Sequence, residues 1–199
     1  MASSIETTST TTTLKNNGTA YISVDTNENV TLAHPLALAQ GGSGAVSVNG
    51  IVQVVNYTTG AVATGTTVMP RDNTIPQKTE GIEFLTLAIT PKNASNILII
   101  TVSVFLASSA SNSHVQSAIF QDSTANALAA QTARCPASAG ENLAVNLAHK
   151  MVAGTTSATT FKVRIGSNVA ATITLNGTLG SQFFGGVASS SITITEYSA

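Results

Sequence analysis

Charged residues are scarce in this sequence of 199 residues. Only 9% are Asp, Glu, Lys or Arg, whereas soluble domains typically contain about 25%. The net charge is −1 and no cluster of Lys and Arg occurs, so neither a nucleic acid nor an anionic membrane surface is expected as a partner. Thr, Ser, Ala, Asn and Gly take the place of the missing charges. Their short side chains lose little entropy on ordering, which favours close packing between chains.

Cysteine is almost missing as well. Cys135 is the single cysteine, so an intrachain disulfide is excluded. The three histidines, His34, His114 and His149, stand far apart in the sequence, and no Cys-x-x-Cys motif occurs. We therefore predict no metal site and no cofactor.

Aromatic residues make up 5% of the chain, and tryptophan is absent. Such a chain offers few of the stacking platforms that many carbohydrate-binding proteins use. Phe183 and Phe184 stand next to each other before Gly185 and Gly186. We interpret them as a core pair beside a glycine bend; the alternative is an exposed apolar contact.

Long hydrophobic runs are absent too. The longest, Ile97 to Ala107, is shorter than the roughly 20 residues of a transmembrane helix. The N-terminal stretch MASSIETTSTTTTLK has neither the basic nor the apolar region of a secretory signal. We therefore expect no membrane insertion.

No arrangement of residues typical of an enzyme is visible. The Gly-rich segment Gln40–Ala45 lacks the Gly-Lys-Ser/Thr and helix of a phosphate-binding loop, and Ala45 occupies the last glycine position of a nucleophile elbow. The acidic residues are scattered and form no local pair that could act as general acid and base: Asp72, Glu80, Glu83, Asp122 and Glu141. We predict that the protein is not an enzyme.

Apolar β-rich segments dominate what is present. The stretch Glu80–Leu106 holds two runs that are largely apolar on both faces, separated by Pro91 and by the turn residues Asn93, Ser95 and Asn96. A strand that is apolar on both faces must be covered on both faces. We predict that these two runs form an antiparallel pair at the centre of a β-sandwich.

Further short strands separated by turns follow at intervals of roughly 8–12 residues, which is typical of a sandwich or jelly roll. Ser123–Arg134 contains helix-favouring residues, but its position between two strands favours a hairpin tip. The fold class is therefore an all-β, antiparallel, jelly-roll-like β-sandwich. The predicted strands are Ile51–Tyr57, Glu83–Thr90, Ile97–Leu106, Val115–Gln121, Leu143–Val152, Thr159–Ile165, Ala171–Asn176 and Ser191–Glu196.

The first 46 residues are expected to form a separate, extended β arm. Residues 1–13 are rich in Ser and Thr and should not order alone. Tyr21–Asp25 and Asn29–Ala33 predict a small hairpin, and the Gly-rich segment that follows predicts a hinge. Asp25–Asn29 is similar to the start of a calcium loop, but Val30 and Leu36 occupy the Gly and Glu positions. We place the domain boundary between residues 46 and 47.

Self-association is the strongest physical inference from the sequence. The small hairpin is too short to be stable alone, and neutral β-rich chains with small side chains can bury such pieces against copies of themselves. A closed ring around an axis also removes exposed strand edges.

Several stretches resemble the proteins of bacteriophage fibres. Ala20–Leu32 followed by Leu36–Ala45 resembles the shaft repeats of tail fibres, which often contain a "SIDTxGNVT" strand pair and then a "GGTGA" turn. The later part resembles a distal module found at the ends of phage fibres and on other virion proteins. The matching segments are Thr59–Thr67, Asp72–Gly81, Leu87–Pro91, Phe120–Ala130, Ala153–Arg164 and Phe183–Glu196.

The resemblance implies a homotrimeric virion protein without catalytic residues, made of an anchoring arm (1–46) and an all-β knob (47–199). We predict a short tail fibre or fibre tip that docks on other virion proteins through the arm and attaches to a host surface glycan or protein. The alternatives are a capsid decoration protein that stabilises the phage head and a glycan-degrading tailspike enzyme.

Receptor contacts are predicted in two loops that a sandwich would display at its distal end. They are the 68–80 loop, for which the alternative is a structural connection, and the 131–142 loop. The predicted contact residues are Arg71, Asp72, Asn73, Gln77, Lys78, Arg134, Glu141 and Asn142.

Overall fold

The computed structural model describes residues 50–199 and, before them, the backbone of residues 3–7, 11–16, 19–25 and 30–32. The chain divides into two compact units, Met1–Val48 and Asn49–Ala199. The predicted hinge at 40–45 and the turn at 26–28 lie outside the described residues.

The N-terminal unit contains a four-stranded antiparallel sheet. Its strands follow one another in order: β1 (Ser3–Thr7), β2 (Thr11–Asn16), β3 (Thr19–Asp25) and β4 (Val30–Leu32). The β3–β4 pair confirms the predicted hairpin. Residues 1–13, which were not expected to order alone, contribute β1 and the start of β2, and β2 in turn pairs with β3. The cross-strand register aligns the aliphatic residues Ile5, Leu14, Ile22 and Leu32 in one row.

The larger unit is almost entirely β-structure, with one 3-10 turn at Phe184–Gly186. The predicted strands are confirmed with shifts of one to two residues at their ends. The strands are β5 (Ile51–Thr59), β6 (Ala63–Gly65), β7 (Ile82–Ile89), β8 (Ile97–Ser108), β9 (His114–Gln121), β10 (Ala129–Arg134), β11 (Asn142–Val152), β12 (Thr159–Ser167), β13 (Ile173–Leu175), β14 (Gly177–Thr178), β15 (Ser181–Gln182) and β16 (Ser190–Tyr197).

Two antiparallel sheets form the sandwich. The front sheet has the order β10-β9-β12-β7. In the back sheet, β8 pairs with β11 along one edge. The other edge of β8 is shared by β16 and the short β13. β5 pairs with the far edge of β16. The main order of the back sheet is therefore β5-β16-β8-β11, and β13 with β6 extends it at one end. Two four-stranded antiparallel sheets in which the chain passes repeatedly from one sheet to the other make a jelly roll. This arrangement confirms the predicted fold class.

The predicted pairing of the two runs in Glu80–Leu106 is wrong. β7 is an edge strand of the front sheet, where it pairs with β12, and β8 lies inside the back sheet. Pro91 and the residues after it carry the chain across from one sheet to the other. The two apolar faces predicted cover on both sides of each strand, whereas Thr86 of β7 and Thr101 of β8 are exposed on the outer faces of their sheets. Such a pattern also contains no information about which strand each one pairs with.

Alternate residues of both sheets meet in one core. The back sheet contributes Leu98, Ile100, Val102, Val104 and Leu106 from β8, all buried. The residues that face them from β9 and β12 include Val115, Ile119, Phe161, Val163 and Ile165. Cys135 is buried in the same cluster as a free thiol.

A buried carboxylate joins the back sheet to the β7–β8 connection. Glu196 on β16 accepts hydrogen bonds from the Asn96 side chain (2.6 Å), the Gln53 side chain, and the backbone N–H groups of Lys92 (2.8 Å) and Asn93 (3.4 Å). Burial alone would raise the pKa of Glu196, but these hydrogen bonds together hold the pKa below its ordinary value. The carboxylate is therefore a structural link between two segments about 100 residues apart in sequence.

The first and last residues of this unit also meet. The Gly50 N–H donates to the Ser198 hydroxyl, and the Ser198 N–H donates to the Gly50 carbonyl, both at 3.0 Å. β5 and β16 lie side by side next to this contact.

Candidate functional site

Residues 66–81, named here the 66–81 loop, cover part of the outer face of the front sheet. Met69 is fully buried and packs against Ala118 and Phe120, which face outward from β9. The Met69 N–H donates to the Ser167 carbonyl (3.0 Å), and the Gly81 N–H donates to the Val68 carbonyl (3.1 Å). These contacts fix both ends of the loop at the same end of the sheet.

The middle of the loop is held by the turn between β9 and β10. The Lys78 N–H donates to the Ala125 carbonyl (2.8 Å), the Ala127 N–H donates to the Pro76 carbonyl (3.0 Å), and the Gln77 amide donates to Asn126 Oδ1 (3.0 Å). The Lys78 ammonium donates to the Ser123 carbonyl (2.9 Å). The middle of the loop is therefore tied to the β9–β10 turn by both backbone and side-chain hydrogen bonds.

An open cleft of about 210 Å³ lies between this loop and strands β9 and β10, and is named here the front cleft. Prolines and an alanine supply its apolar lining, whereas the other lining residues are polar. They are Pro70, Arg71, Asp72, Thr74, Pro76, Gln116, Ala130, Gln131 and Thr132.

Asp72 organises the exposed rim of the front cleft. Its Oδ1 accepts hydrogen bonds from the Thr74 N–H (2.8 Å) and the Thr74 hydroxyl (2.6 Å), which makes an Asx turn. The side-chain and backbone hydrogen bonds from Thr74 lower the pKa of Asp72, so the side chain is a carboxylate at neutral pH. Within residues 50–199, the guanidinium of Arg71, which precedes Asp72 in the sequence, has no ion-pair partner.

Gln116 forms the buried part of the lining. Its side chain is 5% exposed, and its Nε2 donates to the Thr132 hydroxyl at 3.3 Å. Its Oε1 has no hydrogen-bond partner among the described residues. An unpartnered polar atom in such a place is unusual, because buried polar groups are nearly always hydrogen-bonded.

The structure brings only some of the predicted contact residues together. Arg71 and Asp72 line the front cleft, and exposed Asn73 follows them. Arg134 lies on β10 in the outward-facing row that includes Thr132, and its guanidinium reaches Asn112 Oδ1 at 3.5 Å. Gln77 and Lys78 hold the loop in place, as described above.

The 131–142 segment is only partly a loop. Residues 131–134 belong to β10, and Asn142 begins β11. Asn142 donates to the Gly177 carbonyl (3.1 Å), and exposed Glu141 precedes it. Neither residue lines the front cleft. Sequence analysis missed Gln116 and Thr132; the available signal was a glutamine within the apolar run of β9.

The outer face of the back sheet has no cover from the described residues of its own unit. Ile51, Val54 and Val152 are 61%, 52% and 54% exposed. Register and burial place a largely uncharged set of residues on this face, named here the open back face, with Lys150 as its one charge. The set is Ile51, Val54, Asn56, Thr58, Ile97, Ile99, Thr101, Ser103, Phe105, Ala144, Asn146, Ala148, Lys150, Val152, Ser191, Thr193, Thr195 and Tyr197.

Two shallow depressions mark the open back face. One, of about 380 Å³, lies over Thr101, Ser103, Asn146 and Ala148. The other, of about 430 Å³, lies over Ile97, Ile99, Lys150 and the C-terminal residues. A broad, shallow and neutral surface of this kind suits contact with another protein surface better than enclosure of a small molecule.

An aromatic ridge stands at one end of this face. Phe183 contacts Phe105 edge-on, with ring centroids 6.3 Å apart, and Phe184 stacks on Phe183 at 5.6 Å. Phe184 is 74% exposed and Val187 is 80% exposed. The predicted core pair is therefore wrong for Phe184, because the backbone turns there through a positive φ of 49° and directs the chain outward.

In residues 50–199 and the described strands before them, no group of three or more His, Cys, Asp and Glu residues is placed to hold a metal ion. Within the same residues, no helix is long and apolar enough to cross a membrane.

No protein-family model matches this sequence, and no curated protein matches it. Among solved structures, the chain is similar to Eiger TNF from S. frugiperda (6% identity, TM-score 0.40, covering 73% of this chain and 93% of that one). It is also similar to the EclA C-terminal domain, a sugar-binding protein (20%, 0.33, 67% and 81%), and to the infectious bursal disease virus VP2 subviral particle (10%, 0.35, 94% and 47%). Similarities at these scores do not indicate a function for this chain.

Proposed function

We propose that this chain is a non-enzymatic structural protein of a bacteriophage virion, a short homotrimeric tail fibre or fibre tip that attaches the particle to its host. The open back face carries the proposal, because it is an extended neutral surface that a lone copy would leave in water. The resemblance of the sequence to fibre shafts and distal modules supports the virion setting. The N-terminal unit would dock on other virion proteins, and the front cleft would face the host.

The size of the open back face fits an interface between copies. Four strands about 4.8 Å apart, each roughly ten residues long at about 3.3 Å per residue, span roughly 600 Å² in projection. A specific interface buries about 800 Å² on each partner once side-chain relief is included. The aromatic ridge adds area at one end.

The chemistry of the face favours a second copy of the same chain. A charged partner would meet no complementary charge apart from Lys150. Thr, Ser, Ala, Val and Ile can pack against the same residue types without burying an unpaired charge. A closed ring of copies would also multiply weak contacts with the host into useful avidity.

The oligomeric state in solution tests the proposal directly. Sedimentation equilibrium of the full chain should give three times the chain mass. Thr101→Glu at the centre of the open back face should weaken association by about tenfold or more, because like charges would face one another across the interface.

Thr86→Glu is the matched control, since Thr86 is an exposed mid-strand threonine on β7 of the front sheet. It should leave the mass unchanged. A monomeric wild-type chain, or equal effects of the two variants, would contradict the proposed trimer.

The number of copies per purified particle separates a tail part from a capsid decoration protein. A few per cent of the amount of the major capsid protein is expected for a tail fibre. A ratio near one to one or one to three would instead place the chain on the capsid lattice, where its role would be to stabilise the shell.

A further inference from the structure

We propose that the front cleft is a binding site for one neutral sugar unit, held by hydrogen bonds to its hydroxyl groups. Placing that sugar on a bacterial surface rests on the proposed function; the binding itself does not. The inference rests on the unpartnered amide oxygen of Gln116, the opposite charges of Arg71 and Asp72 in the lining, and the size and rigidity of the cleft.

The amide of Gln116 needs a partner that can play either hydrogen-bonding role. As placed, its Nε2 donates to the Thr132 hydroxyl and its Oε1 is left over. If the amide were turned by 180°, Oε1 would accept from Thr132 and Nε2 would be left over. A hydroxyl group satisfies both cases, since it donates and accepts. The terminal torsion of a glutamine is soft, so a small rotation can turn the free atom towards a ligand.

The rim of the front cleft also offers hydrogen-bonding groups that suit hydroxyls. Arg71 offers donors that no described residue uses, and Asp72 keeps one carboxylate oxygen free because Thr74 bonds only to the other. Neighbouring hydroxyls of a sugar can accept from Arg71 and donate to Asp72. The two charges cancel, whereas an anion or a cation would meet one group of its own sign.

The front cleft is small, and we expect it to hold one sugar ring. Its volume of about 210 Å³ is below the roughly 300–1,000 Å³ of pockets that enclose drug-sized molecules. Pro70, Pro76 and Ala130 provide apolar contacts for the C–H groups of a sugar ring. These residues replace the aromatic platform that the cleft lacks.

The walls of the front cleft are held before any ligand arrives. Met69 anchors one wall in the outer face of the front sheet, and the hydrogen bond from Ala127 to Pro76 fixes the other end. Gln116 and Thr132 lie opposite each other on paired strands. A site that is already formed loses little conformational entropy on binding, which matters for a ligand with few contacts.

The experiment is a titration of the isotope-labelled full chain, followed by ¹H–¹⁵N TROSY spectra. The ligands are free neutral hexoses, 6-deoxyhexoses and N-acetylhexosamines, with inorganic phosphate, glycine and lysine as charged comparisons. At least one neutral sugar should shift the Gln116 side-chain amide and the backbone amides of residues 130–132, with a Kd of about 1 mM.

Two variants localise the binding. Gln116→Leu should weaken it by about tenfold, the effect of losing one hydrogen bond to a buried group. Arg71→Ala changes only an exposed side chain and should weaken it several-fold, so it stays informative if the Gln116 variant folds poorly. Lys92→Ala, at an exposed cation remote in sequence from the cleft residues, is the matched control and should leave the Kd unchanged.

Three results would overturn the inference. The first is the absence of shifts with every neutral sugar up to tens of millimolar, which would mean that the cleft holds water only. The second is shifts with charged ligands alone, and the third is sugar binding that neither cleft variant weakens. None of these depends on the sedimentation result, so a chain that forms trimers without binding sugar, or binds sugar as a monomer, is recognised as such.

Discussion

The two outer faces of the sandwich are built from similar strands, but they differ in how far their apolar side chains are buried. On the front sheet, Phe120 points outward and is still 1% exposed, because Met69 and the 66–81 loop cover it. On the back sheet, Val54 points outward and is 52% exposed. Each apolar side chain of this size gains about 1.5–3 kcal/mol when it is fully buried. The chain covers part of one outer face with its own loop, whereas the other outer face leaves apolar side chains such as Val54 in water.

Phe120→Ala is expected to have the largest effect on this comparison. It removes a ring that is packed on both sides and should lower the free energy of unfolding by about 3–5 kcal/mol. Urea denaturation at a protein concentration low enough to keep the chain monomeric measures this loss.

Val54→Ala provides the contrast on the open back face. It should change the unfolding free energy of the monomer by less than about 0.5 kcal/mol. Equal losses for the two variants would mean that the two faces do not differ in cover.

Gly166→Ala tests how the cover sits on the front sheet. A Cβ at this position would lie 2.7 Å from the Thr67 carbonyl oxygen and 2.8 Å from the Met69 backbone nitrogen, so the loop would have to move away. We expect a loss of about 1–3 kcal/mol. Hydrogen exchange at the Met69 amide should become faster while exchange in β8 stays slow; unchanged protection at Met69 would contradict this account.

Glu196→Gln tests the polar link of the back sheet and should have a smaller effect than Gly166→Ala, about 1 kcal/mol at neutral pH. The folded state lowers the pKa of Glu196 from 4.5, so its contribution is complete above that value and is lost as the pH falls through the folded pKa. The difference in stability between wild type and variant should therefore shrink as the pH falls below about 4.5. A difference in stability that grows on acidification would contradict a lowered pKa of Glu196 in the folded state.

The strands could be predicted from the sequence because each run of β-branched and apolar residues is bounded by turn residues. The assignment of strands to sheets could not, as β7 and β8 show. Both strands bury one face in the core between the sheets, and each leaves an exposed threonine, Thr86 or Thr101, on its other face. Local patterns contain no information about pairing between residues far apart in sequence.

The front cleft could be predicted only in part. Arg71 and Asp72 were visible as unusual charges in a loop of a nearly uncharged chain. Gln116 could not be predicted as a site residue. A polar residue within an apolar strand has no distinguishing feature until the loop that passes over it is known. In the N-terminal unit, the aligned aliphatic row was missed because its members are spaced widely among threonines.

The position of β16 has a consequence for synthesis of the protein. This strand comes after both β5 and β8 in the sequence, yet it lies between them. During translation, β5 and β8 are made long before their common neighbour, so the back sheet cannot close until β16 has left the ribosome. Pairings over such sequence separations make folding slow, and the exposed strand edges are open to wrong pairing meanwhile. The ribosome-bound chain is therefore expected to be most prone to aggregation just before β16 emerges.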